Sequence, residues 1–375
     1  MQVTNFESSN PYAIPTTMHY YILPHQLTFK FPAGTSRGVY THRKVWYVFL
    51  SESPLTEECC KGILEDPRLL TTHSIGVGEI APLHDLSCEY KRNFHDTILQ
   101  CCQTYAQNGD MEVLRHYPSI YFGIETAKLS LQSPDGTTLF NTPFSQGEAG
   151  IPINGLVWMG DKETMRERML EKIATGYNCV KLKIGALQID SEMELLRELR
   201  QIAPSQKLQI RVDANGAFTE NEALPIMEKL AELEVHSIEQ PIRSGNWESM
   251  SRLCKESPIP IALDEELIGV NSVKMKQNLL QEVSPAYIVL KPTLHGGLNG
   301  CKEWIKIANN LNIGYWITSA LESNIGLNAI AQFTSTLPQN NFAQGLGTGQ
   351  LFVENIPHIG LTIRGNKLYR NPKNN

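Results

Sequence analysis

Along the second half of the chain, short apolar runs alternate with longer amphipathic stretches at near-even spacing. The runs INGLVWM, CVKLKIG, LQIRVDA, HSIEQPI, IPIALDE, AYIVLKP, YWITSAL and FAQGLGT read as strands. Helix-length stretches separate most of them. In SEMELLRELRQIAP, Met193, Leu196 and Leu199 recur at helical spacing. TENEALPIMEKLAEL opens on Thr219 and Glu222, a capping-box pair, and Pro225 past its first turn is expected to kink or delay the helix. GLNGCKEWIKIANNLNI carries Trp304, Ile305, Ala308 and Leu311 in another amphipathic stretch. About eight strands alternating with helices predict an α/β fold of the closed (β/α) barrel type. An open doubly wound sheet would normally carry a Gly-rich phosphate loop after its first strand, and the sequence has none there.

The first 150 residues follow a different rhythm. YYILPHQLTF leads into the turn-rich FPAGTSRG, KVWYVFLSES reads as a strand, and SIGVGEIAPL is its candidate hairpin partner. Helical stretches follow in LSCEYKRNFHDTILQCCQTYA and SIYFGIETAKLSL, so an α+β domain is expected over residues 1–150. The barrel is expected over 151–350, and 351–375, with the strand-like HIGLTIRGNKLYRN, should fold back on the first domain.

Composition narrows the function classes. With 375 residues and 41% apolar content the chain can bury a large core. A formal net charge of −6 argues against nucleic acid as a partner. No apolar run reaches the length of a membrane span, and MQVTNFESSNPYAIPTT lacks the features of a signal peptide, so a soluble cytoplasmic protein is expected, with its oligomeric state left open. The eight cysteines include adjacent pairs (Cys59–Cys60, Cys101–Cys102) unsuited to disulfides or CxxC metal sites, and reduced structural thiols are expected.

The candidate chemistry lies at the strand ends. Asp213, Glu239 and Asp264 close successive apolar runs, and Lys181, Lys183 and Lys291 flank them. Residues two apart share a face of a strand, so Lys181 and Lys183 point together, as do Arg211, Asp213 and Asn215. In a barrel that face looks inward and the late positions form the catalytic mouth. Taken singly, each acid is more often an N-cap for the following helix and a lone buried lysine more often an ion-pair partner. Their joint occurrence on consecutive strands favours a divalent metal with a base on either side. Hard oxygen ligands without clustered His or Cys point to Mg²⁺. A small-molecule carboxylate bound to it would lose its α-proton to a lysine whose pKa burial, the metal and its neighbour lower, Lys181 acting so on Lys183. His295 is expected to be a loop residue and His236 structural.

These motifs resemble the enolase superfamily, in its muconate-lactonizing-type subgroup with a lysine on each side of the metal. The resemblance rests on Lys181-Leu-Lys183, Asp213-Ala-Asn215, Glu239-Gln-Pro241, Asp264-Glu265 and Lys291-Pro292, and spans essentially the whole chain. It implies an N-terminal α+β capping domain and a modified (β/α)7β TIM-type barrel. GVGEIAPL and SIYFGIETAKLSL look like its capping and linking segments. It further implies Mg²⁺ (Mn²⁺ as a substitute) held by Asp213, Glu239 and Asp264, with Asn215 and Glu265 supporting them. Lys183 would be the proton-transferring base and Lys291 the stabiliser on the opposite face. INGLVWMG, SALESNIGL and GLGTGQLF are most similar to the branch that dehydrates 2-succinyl-6-hydroxy-2,4-cyclohexadiene-1-carboxylate to o-succinylbenzoate, a step of menaquinone biosynthesis. In that branch Ser319, Ser323, Gly347 and Thr348 would meet the succinyl end, and Arg37 in the capping loop an anionic group. N-succinylamino acid racemases, muconate cycloisomerases and dipeptide epimerases share the lysines and acids. The epimerases usually carry Asp-x-Asp on the last strand, where this chain reads Gly345-Leu-Gly347-Thr348-Gly349. A non-catalytic binding protein on the same scaffold is the remaining alternative, and the intact set of lysines and acids speaks against it.

Overall fold

The computed structural model describes residues 18–35, 38–186, 188–338, 342–356 and 359–371. The N-terminal region is built on a long antiparallel hairpin of β1 (His19–Thr35) and β2 (Gly38–Ser51), with a register shift between Thr28 and Ala33. Helices α1 (Glu57–Glu65) and α2 (Leu69–Thr72) follow, then β3 (Ile75–Ile80), which pairs antiparallel with β2. Thus SIGVGEIAPL does supply the partner of KVWYVFLSES. Helices α3 (Phe94–Asn108) and α4 (Pro118–Gln132) complete the region. α3 begins at Phe94, later than the periodic stretch that starts at Leu86. β2 is apolar on both sides because it serves two cores. Trp46, Val48 and Leu50 pack with Phe94, Ile98, Ile120 and Ile124. Val45, Tyr47 and Phe49 pack with Cys60 and Ile63, and with Leu321 and Ile325 from the second half of the chain.

After the short β4 (Ile151–Pro152), strands and helices alternate strictly: β5 (Gly155–Val157), α5 (Lys162–Ala174), β6 (Cys179–Lys183), α6 (Ile189–Ile202), β7 (Gln209–Asp213), α7 (Glu220–Glu232), β8 (Ser237–Glu239), α8 (Trp247–Glu256), β9 (Ile261–Leu263), α9 (Val273–Val283), β10 (Tyr287–Leu290), α10 (Gly297–Asn310), β11 (Gly314–Ile317) and α11 (Asn324–Thr336). The seven strands β5 to β11 form one parallel sheet in sequence order. FAQGLGT closes it into a ring by isolated parallel bridges rather than a full strand: Gln344 bridges Ile153, and Gly345 bridges Thr318. Gly345 makes this closure possible, since a Cβ there would meet Oγ1 of Thr318 at 2.0 Å. This is a (β/α)7β barrel carrying an antiparallel N-terminal region.

α7 starts at its Thr219–Glu222 capping box, and Pro225 neither delays nor breaks it. Ala223, Ile226, Met227 and Leu230 are buried around the proline, and that packing holds the turn despite the missing N–H. The last hairpin, β12 (Leu361–Arg364) and β13 (Lys367–Arg370), pairs with β4. Upstream of it, Phe352 bridges Phe29 of β1. All eight cysteines are free thiols. Among the described residues no helix is long and apolar enough to cross a membrane.

β3 lies directly on α4 through Gly78, where a Cβ would meet the Gly123 carbonyl oxygen at 1.9 Å. Gly78→Ala is expected to cost about 1–3 kcal/mol through this overpacking, read as a lower urea midpoint. An unchanged midpoint would show that strand and helix part without strain.

Candidate active site

Pairing between neighbouring strands brings the charged residues together. Lys183 lies opposite Asp213, and Asp213 opposite Glu239. Glu239 lies opposite Ala262, so Asp264 follows two residues on along the next strand line. Side-chain alternation then turns all of them toward the barrel axis. Asp213 and Asp264 are fully buried and Glu239 is 2% exposed, while the lysine side chains keep 11–13% exposure at the mouth. None of the three acids caps a helix through its side chain. α7 and α8 are capped by Thr219 and Asn246, and Asp264 stands at a helical N-cap position without a capping bond.

The Lys181 ammonium donates to Oδ2 of Asp213 at 2.8 Å and to both Glu239 oxygens at 2.9 and 3.0 Å. Lys183 donates to the same Asp213 oxygen at 2.7 Å and to Oδ1 of Asn215 at 2.6 Å. Asn215 in turn donates to Glu265 at 2.9 Å. On the far side Lys291 donates to Oδ2 of Asp264, whose Oδ1 has no protein partner. Burial works against the Lys181 ammonium, yet Asp213 and Glu239 outweigh it and hold its pKa well above the usual lysine range. The carboxylates, rather than the neighbouring ammonium, dominate there. Burial likewise works against the Asp213 carboxylate, but Lys181 and Lys183 hold it far below the usual range. Burial and the Asp213 charge beside it push the Glu239 carboxyl above the usual range.

The donor set suits a hard divalent cation: three buried carboxylates on adjacent strands, mutually repelling, one with an unpartnered oxygen. Among the described residues no three Asp, Glu, His or Cys side chains are already gathered into a metal cage. The ammonium groups of Lys181, Lys183 and Lys291 lie against these oxygens instead.

A cavity of about 330 Å³ opens above the lysines, within the size range of small-molecule sites. Lys181, Lys183, Lys291 and Asn215 form its floor, and Ser319, Gly347 and Thr348 line one side. Ser319 and Thr348 share a hydroxyl–hydroxyl hydrogen bond. Phe31 and Pro32 of the β1–β2 hairpin also line the cavity. Arg37 lies outside the described residues. Ser323 does not line the cavity: it caps α11, and its amide and hydroxyl donate to Glu79 of β3 at 2.8 and 2.6 Å. The expectation that Ser323 meets substrate is thereby corrected, because a helix N-terminus turns that hydroxyl toward the N-terminal region.

Several residues had no signal in the spacing. Gln240, fully buried at φ +41, accepts from the Asp264 and Glu266 amides through one oxygen at 3.1 and 3.2 Å, and so shapes the turn that presents Asp264. Fully buried Glu322 accepts from Thr293 and from the Ala320 amide, joining the loops after β10 and β11. His295 is a loop residue as expected, but a buried one whose ring bonds the Lys291 amide. Burial pushes its pKa down to about 3. His236 is structural, bonded to Ser237 and stacked on Tyr287.

Residues 164–365 match the family model described as Enolase C-terminal domain-like, and residues 63–131 match MenC, N-terminal domain. The chain belongs to the enolase superfamily, whose members generally depend on a divalent metal. Among its relatives, the o-succinylbenzoate synthase of Desulfotalea psychrophila is 41% identical over 88% of this chain and 93% of its own length. The crystal structure of MenC from the same organism superposes with a TM-score of 0.77 at 35% identity, covering 94% of this chain and 99% of that one. The substrate-liganded L-Ala-D/L-Glu epimerase of Bacillus subtilis also superposes at 0.77, over 94% of this chain and 96% of that one. Its 16% identity shows the fold alone.

If Lys181 neutralises Asp213 and Glu239, Lys181→Met leaves two buried carboxylates under-compensated. A loss of about 3 kcal/mol in metal-free stability is expected. Mg²⁺ should then raise the variant's Tm more than the parent's. An equal rise in both proteins would show that the ammonium does not neutralise the ladder.

Proposed function

We propose that this protein is an o-succinylbenzoate synthase, dehydrating 2-succinyl-6-hydroxy-2,4-cyclohexadiene-1-carboxylate. The observation that carries the reading is the ladder Lys183–Asp213–Glu239 on adjacent strands, with Asp264 and Lys291 beyond it, in a chain 41% identical to a synthase along nearly its full length. Asp213, Glu239 and Asp264 would hold Mg²⁺, for which Mn²⁺ substitutes. When bound, the ion supplies fixed positive charge to the substrate carboxylate as it becomes an enediolate.

The chain's own residues supply the proton transfers. Lys183 is the base: its amine takes the α-proton, and the C–H electron pair passes into the carboxylate as the enediolate. Asp213 and Asn215 accept from Lys183 and hold its Nζ at a defined point. The resulting ammonium gives its proton to the departing hydroxyl, the C–O bond breaks, and water and the aromatic product form. Lys291, beyond Asp264, offers its ammonium to the developing negative charge from the opposite face. Glu265 keeps Asn215 in place through its 2.9 Å bond. Ser319 and Thr348, with the backbone at Gly347, would receive the succinyl end, and the apolar Phe31 and Pro32 in the cavity lining would limit water access.

Two experiments test this. Lys183→Ala should abolish dehydration, followed by ultraviolet loss of the cyclohexadiene, while Mg²⁺ and substrate still bind. Near-parental turnover would remove Lys183 from the role. EDTA should silence the enzyme and Mg²⁺ or Mn²⁺ revive it, whereas chelation-resistant activity would exclude metal assistance.

A further inference from the structure

Lys291 is held through its main chain as well as through its ammonium group. β10 ends at Leu290, and the Lys291 carbonyl beyond it accepts from the amides of Leu294 at 2.8 Å and His295 at 3.0 Å. The Lys291 amide donates to Nδ1 of His295 at 2.9 Å. The turn therefore closes on both sides of the lysine's Cα, with one ring atom completing the circuit. The imidazole is 2% exposed.

An imidazole nitrogen that accepts an N–H carries no proton of its own. The ring is therefore neutral, with its single proton on Nε2. Nε2 is buried and has no protein partner, which is a cost that an apolar side chain of similar size would avoid. The charged groups that act on the ring are Asp264, Lys291 and Lys276. Asp264 and Lys291 are themselves paired in the proposed site. A costly polar ring kept at this point makes sense if its accepting nitrogen is needed.

We propose that His295 is a positioning residue for Lys291: its Nδ1 fixes the lysine's amide and thereby the direction in which the side chain leaves the barrel strand. The inference rests on the reading of Lys291 as a participant in the reaction. It does not require His295 to touch substrate. Loss of the ring would let the turn relax and the ammonium wander from its place beside Asp264.

The test compares His295→Leu, His295→Asn and His295→Gln in the full chain, alone and combined with Lys291→Met. Asparagine places an oxygen close to where Nδ1 lies, whereas glutamine carries its acceptor one bond too far. His295→Leu and His295→Gln should each lower kcat by about 10- to 100-fold, the scale of a misplaced reacting group. KM should stay within about twofold, since binding of the ground state is not the target. His295→Asn should recover to within about threefold of the parent, as a shared acceptor geometry demands. In the Lys291→Met background, His295→Leu should add no further loss to the residual rate, because the two act as one unit. Parental rates in the leucine and glutamine variants, a loss carried by KM, or additive losses would overturn the proposal. Histidine ¹⁵N NMR of the unsubstituted protein supplies a readout that does not depend on the reaction or on variant folding. The neutral Nε2–H tautomer is expected. A protonated Nδ1 would refute the hydrogen bond, and with it the inference, even if the synthase activity stands.

Discussion

The structure depends on compensating a ladder of buried negative charge. Asp213, Glu239, Asp264 and Glu265 sit inside the barrel at no more than 8% exposure. Carboxylates packed this way, without cations, would be protonated or would unfold their surroundings. Lys181, Lys183 and Lys291 supply the compensation in the folded chain. Two of these lysines, Lys183 and Lys291, are the groups proposed to move protons or meet developing charge. Folding asks for positive charge fixed beside the acids, and the reaction asks for amines free to exchange a proton. A divalent cation held by the acids, as proposed, would reconcile the two, because its charge would take over the neutralisation and leave the amines free.

Beneath the ladder, the strand interior turns apolar and aromatic. Ala262, Val289 and Trp316 form a small cluster, with the Arg211 guanidinium 4.1 Å from the Trp316 ring. The N-terminal region is fastened to the barrel by carboxylates as well as by apolar packing. Glu79 of β3 accepts from the first turn of α11, and Glu125 of α4 accepts from the Leu298 and Asn299 amides at the start of α10. Each acid meets a helix N-terminus, where free amides and the helix dipole favour negative charge. These clasps lie just outside the loops after β10 and β11, so the elements that carry Lys291 and Ser319 are referenced to the N-terminal sheet. One strained residue lies there too: Leu321 adopts φ +66 in the cavity wall while its side chain packs into the N-terminal core.

One expectation from local pattern and one from the family resemblance failed for identifiable reasons. Pro225 implied a delayed helix, but buried neighbours and a complete capping box outweighed one missing hydrogen bond. The resemblance implied a substrate contact for Ser323, but its partner is Glu79, 244 positions away in sequence. No pattern local to SALESNIGL could reveal that bond. FAQGLGT was legible as the eighth strand line, yet a full strand did not form, and the ring is finished by bridges at Gln344 and Gly345.

By itself, the sequence determined which residues face the barrel axis and at what level. Side-chain alternation along a strand is local, so the positions of Lys181, Lys183, Asp213, Glu239, Asp264 and Lys291 within their runs were enough. The recurrence of those runs likewise determined the barrel. Tertiary structure decided which polar groups bond to which: Glu79 to Ser323, Gln240 to the Asp264 turn, His295 to the Lys291 amide. Such bonds depend on how separate elements are placed in space and on what burial leaves unsatisfied, and residue spacing carries neither.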